Sequence, residues 1–66
     1  MLTKTPVALL CDGKLVGTHS LVHVPAIGDD VLLASEVVTK WRVIHRVWKL
    51  HETGTVVVDL HVVPSH

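Results

Sequence analysis

The 66-residue sequence predicts an all-β fold, a small five-stranded barrel or strongly bent antiparallel sheet forming one domain over residues 1–66. Three observations carry this. Fourteen residues are valine, and a β-branched side chain, stiff about χ1, fits a pleated sheet better than a helix. Turn-forming groups at Asp12-Gly13, Gly28-Asp29-Asp30 and Glu52-Thr53-Gly54 punctuate the chain at intervals suited to short strands. Near the C-terminus, Val56, Val58, Leu60 and Val62 repeat with period two, as in a strand with one face on a core.

The elements follow in order. Val7 to Cys11 is a short apolar strand closed by Asp12-Gly13, a pair that favours the positive φ angles of a tight hairpin turn. A second strand runs from Leu15 to about Val24, where Pro25 removes a donor and fixes φ. Gly28-Asp29-Asp30 turns the chain into a third strand at Val31-Leu32-Leu33, and Ser35 to Thr39 is a loop or a bulged continuation. Lys40 to Leu50 is the longest strand, and Thr55 to Val63 is the last before Pro64. A competing reading is an α+β fold with a helix over about residues 35–51, because Val37, Trp41, Ile44 and Trp48 also follow the spacing of a helix face. Against it, Val37, Val38, Thr39, Val43, Ile44 and Val47 are all β-branched, which lowers helix propensity.

Size and composition bound the function. So short a chain buries only about 60% of the surface that its unfolded form exposes. Cys11 is the single cysteine, so no intramolecular disulfide reinforces the fold, and the four-cysteine and two-cysteine, two-histidine zinc sites are excluded. A lone cysteine also favours a reducing, cytoplasmic setting. Hydrophobic residues make up 48% of the chain but only Trp41 and Trp48 are aromatic; this much aliphatic surface predicts a homo-oligomer, with a dimer as the first expectation. No apolar run approaches the roughly 20 residues of a membrane span, and no signal peptide is visible, so a soluble, non-exported protein is expected. The formal net charge is zero, which argues against general attraction to nucleic acid. The charge is nonetheless uneven: residues 1–39 carry two lysines against four acids, residues 40–49 carry Lys40, Arg42, Arg46 and Lys49, and the remainder carries Glu52 and Asp59.

Pro25, Ile27-Gly28-Asp29, Val31 and Leu33, then Trp41-Arg42-Val43 and Val47-Trp48, form a pattern of turn, short apolar strand, aromatic-x-Val strand and valine-rich final strand. Over roughly residues 25–63 this resembles small SH3-like β-barrel proteins of unknown function from bacterial mobile elements, phage or gene cassettes. The resemblance implies barrel geometry and brings no activity to any residue. The stretch from Ser35 to Thr39 is longer than that pattern.

Period-two alternation sorts Lys40 to Leu50 into two faces. Trp41, Val43, His45 and Val47 fall on one, expected to meet the core; Lys40, Arg42, Ile44, Arg46 and Trp48 fall on the other, and a β-bulge would exchange these assignments midway. Arg42, Arg46 and Trp48 are the candidate partner-binding residues, because two guanidinium groups beside an indole grip phosphates or stack on planar groups. The structural alternative pairs Arg42 and Arg46 across strands with Asp59 and nearby acids. The last strand adds Val57 and Val63 to its second face; a strand apolar on both sides is covered twice or lies at a subunit contact. Trp48, Val57 and Val63 are therefore the expected oligomer interface.

Six histidines, His19, His23, His45, His51, His61 and His66, raise the question of metal. His19 and His23 on one strand would lie about 13 Å apart, too far to share an ion; a site would need different strands, such as His45 with His61, or two protomers. The expectation is no metal, no cofactor and no catalytic residue, with Cys11 a small buried hydrophobe rather than a nucleophile. The sequence thus predicts a noncatalytic interaction module that self-associates and binds a protein partner. Two alternatives stand beside it: a nucleic-acid-binding barrel that uses Arg42, Arg46 and Trp48, and an oligomeric enzyme with a site formed between protomers.

Overall fold

The computed structural model describes residues 3–34 and 38–65. Among them the chain forms five strands and no helix: β1 (Thr5–Cys11), β2 (Lys14–Leu21), β3 (Asp30–Ala34), β4 (Val38–Leu50) and β5 (Val56–Pro64). The strands make one curled sheet, a half-barrel, in the order β2-β1-β5-β4-β3. The all-β expectation holds. The helix over residues 35–51 is overturned for Val38–Leu50, a single strand of 13 residues; residues 35–37 of that reading lie outside the described residues. Tertiary pairing decides the matter, since β4 is bonded to β3 on one side and β5 on the other, and its β-branched side chains suit that setting.

β1 and β2 form a hairpin about Asp12 and Gly13, with φ angles of 52° and 77°, the positive values that a two-residue type I′ turn requires. β3, β4 and β5 form an antiparallel meander. The hairpin joins the meander through a parallel pairing, Val7–Leu10 of β1 against Val58–His61 of β5, so the sheet is mixed rather than wholly antiparallel. The cause is topological. Residues 22–29 carry the chain from the β2 edge to the β3 edge, and the meander then returns β5 to the middle. The parallel ladder starts at Val7, one residue after Pro6, which has no N–H to donate. Beyond it, residues 49–50 and 56–57 continue as a ribbon of β4 and β5 alone, with Trp48 opposite Val58 at the end of the ladder.

The core lines the concave face. Val7 and Leu9 of β1, Val43 of β4, and Val58, Leu60 and Val62 of β5 are its fully buried members. Full burial of such a side chain contributes about 1.5–3 kcal/mol. Leu21, Val24, Val31, Leu33 and Trp41 pack around them.

β4 contains a bulge. Val43 opposes Val62 and His45 opposes His61, which leaves Ile44 without an opposite residue. Side chains alternate along a strand, so an extra residue shifts all that follow relative to the neighbouring strand. Before the bulge Trp41 and Val43 face the core; after it Arg46 opposes Leu60 and Trp48 opposes Val58. The 22–29 crossover is anchored beside this break. The Gly28 N–H donates to the Val43 carbonyl at 2.8 Å, and the Val43 N–H donates to the Asp29 carbonyl at 3.0 Å. Asp29 Oδ2 accepts from the Ala26 N–H at 2.8 Å and holds the turn closed. Gly28 adopts φ of 94° here, a conformation that costs a residue with a Cβ roughly 1–2 kcal/mol. The Gly28→Ala variant is therefore expected to lose about 1–2 kcal/mol of stability in urea unfolding. Open space surrounds the added methyl, so the loss comes from φ and not from a clash.

Candidate functional site

β4 and β5 carry the candidate side chains, and the bulge divides them between two faces. The predicted set Arg42, Arg46 and Trp48 does not share a face. Arg42 opposes Val63 on the convex face and its Nε lies 3.4 Å from Asp30 Oδ1, while Lys40 Nζ lies 3.5 Å from the other oxygen of that carboxylate. Arg46 and Trp48 lie on the concave face. The Arg46 guanidinium carbon stands 5.6 Å from the centre of the Trp48 ring, a cation–π arrangement worth about 0.5–1 kcal/mol at an exposed site. Arg46 Nη1 also donates to the Pro25 carbonyl at 3.4 Å, which ties the crossover to β4. The assignment of His45 and Val47 to the core face is corrected for the same reason. Past Ile44 they oppose His61 and Asp59 on the convex face.

The predicted interface set is likewise divided. Trp48 is concave, whereas Val57 and Val63, partly buried, lie on the convex face of β5. Val57 lines a groove of about 340 Å³ with Pro6, Ala8, Thr18 and Ser20. On the concave side, Trp48 is 48% exposed and Leu50 77% exposed, Trp48 at the end of the β1–β5 ladder and Leu50 on the ribbon beyond it. A smaller cavity of about 130 Å³ lies between Leu9, His19, Leu21, Val31 and Leu60.

Asp59 faces outward as its position in β5 implies, yet it is 7% exposed. Its partner is neither Arg42 nor Arg46. Lys49 Nζ reaches Asp59 Oδ2 at 2.6 Å, diagonally across the ladder in which Lys49 opposes Val57 and Val47 opposes Asp59. Sequence reasoning missed this pair because a diagonal contact depends on register, which the bulge sets.

The histidines separate as well. His19 opposes Val7 on the core side of β2, while His23 and His51 are exposed outside the strands. His45 and His61 are brought face to face, with ring centroids 5.6 Å apart. Cys11 is a free thiol, partly buried and packed against the core. No helix among the described residues is long and apolar enough to cross a membrane. No family model, curated protein or solved structure matches the chain.

The two kinds of ion pair on this sheet differ in burial, which yields a comparison. Lys49→Ala leaves a buried carboxylate unpaired and is expected to cost about 1–3 kcal/mol. Lys40→Ala breaks a solvent-exposed pair and is expected to cost at most about 1 kcal/mol. Chemical denaturation of both variants checks the ranking.

Proposed function

We propose that the chain is a noncatalytic β-sheet module that self-associates through the exposed β4–β5 ribbon and presents the assembled surface to a protein partner. The observation that carries this reading is the pair Trp48 and Leu50, both exposed on the same face of β4 where it leaves the end of the β1–β5 ladder and continues as a ribbon. Aromatic side chains dominate the energetics of protein contacts because they bury large areas at little entropic cost. The sheet also ends in β2 and β3, neither of which has a neighbouring strand on its outer side among the described residues, and free edges favour association.

A second copy of the chain is the occupant that the charges favour. The formal net charge is zero, so copies do not repel one another over distance. Arg46 lies beside Trp48 on the concave face, and Glu52 stands at the tip of the ribbon. A two-fold, antiparallel apposition of ribbons sets these unlike charges opposite one another while it covers Trp48 and Leu50. The nucleic-acid reading has less support, since Arg42 is engaged with Asp30 and lies on the other face from Arg46 and Trp48.

Light scattering coupled to size exclusion tests the proposal. The expected result is a dimer at tens of micromolar that the double variant Trp48→Ser, Leu50→Ser converts to a folded monomer. A monomeric wild-type chain, or a dimer indifferent to these substitutions, would overturn it.

A further inference from the structure

The convex face holds a second constellation, independent of the ribbon contact. We propose that His45 and His61 form a two-imidazole chelate for a divalent transition-metal ion of the zinc, copper and nickel class. The two residues are directly opposed on β4 and β5, with ring centroids 5.6 Å apart and ring planes at 42°. The rings are therefore tilted rather than stacked, and their centroid separation is close to that of two imidazoles sharing one ion. With metal–nitrogen bonds of about 2.0–2.1 Å, two imidazoles on one tetrahedral ion have centroids roughly 5 Å apart. Small side-chain rotations close the difference.

Three features of the surroundings support the site. Both histidines stand on paired strands, so the backbone is held in place before the ion arrives. His45 is exposed and His61 partly buried, which leaves the pair open to solvent on the convex side. The neighbouring cations on this face are partly offset by carboxylates, Lys40 and Arg42 sharing Asp30 and Lys49 paired with Asp59, which reduces their repulsion of an incoming metal ion. Imidazole suits zinc, copper and nickel, whereas calcium and magnesium prefer oxygen. Among the described residues no three His, Cys, Asp or Glu side chains gather as a metal site. One chain thus offers two ligands and leaves the remaining positions to water or to another molecule, as in an open and exchangeable site rather than a closed structural one.

Zinc titration by calorimetry, on the full chain without an affinity tag, tests the proposal with His45→Gln, His61→Gln and the control His51→Gln. Wild type and the control are expected to bind one zinc ion per chain, and each of the other variants to bind roughly tenfold more weakly or worse. Copper-loaded protein should show two nitrogen ligands by electron paramagnetic resonance, reduced to one in either variant. One ion per two chains with the same dependence on His45 and His61 supports the same chelate, completed by a second copy. His45 is exposed, so H45Q tests the site even where H61Q fails to fold. Absence of zinc binding by the folded wild type, or an affinity that H45Q leaves unchanged, would overturn the assignment.

Discussion

The unpaired residue Ile44 governs what each face of β4 presents. Were β4 regular, Arg46 and Trp48 would share the convex face with Arg42, and His45 and Val47 would turn inward. The bulge reverses this, because a one-residue shift moves every later side chain to the other side of the ladder. Its consequences are visible across β5: His45 meets His61, Val47 meets Asp59, and Trp48 meets Val58. The crossover secures the same place, with Gly28 and Asp29 bonded to both backbone groups of Val43 and Arg46 reaching back to Pro25. A bulge also increases local twist, in keeping with the curl of the sheet around its core.

The remaining features follow from an apolar chain folded into one curved layer. β5 lies at the centre, between β1 and β4, and contributes Val58, Leu60 and Val62 to the core. Its convex side is not free for water either: Asp59 is buried and paired with Lys49. Apolar residues that find no place in the concave core stay at the surface, among them Trp48 and Leu50 near the end of β4, Ile44 at the bulge and Leu32 on edge strand β3. On so small a domain, this exposed apolar area is what the proposed self-association would cover.

Much of the fold was legible in the sequence. Valine content and the turns at Asp12-Gly13 and Glu52-Thr53-Gly54 identify the strands to within a few residues; β2 stops at Leu21 rather than about Val24, and β1 begins at Thr5. The inward set Val56, Val58, Leu60 and Val62 is readable because β5 has no bulge along it. The parallel β1–β5 pairing was not legible, since nothing local in either strand encodes which distant strand it will meet. The candidate site was only half legible for a related reason. Residue types in β4 indicate which side chains carry charge or aromatic area, but their grouping depends on one unpaired residue and on the crossover packed beside it. Hence Arg42 separates from Arg46 and Trp48, and Lys49 takes Asp59.

Cross-strand nuclear Overhauser effects between β4 and β5 around Ile44 test this account most directly. A bulge at Ile44 predicts contacts of His45 with His61, Arg46 with Leu60 and Trp48 with Val58. A ladder without it would instead show Ile44 against His61, His45 against Leu60 and Trp48 against Val57, and would contradict the division of faces described above.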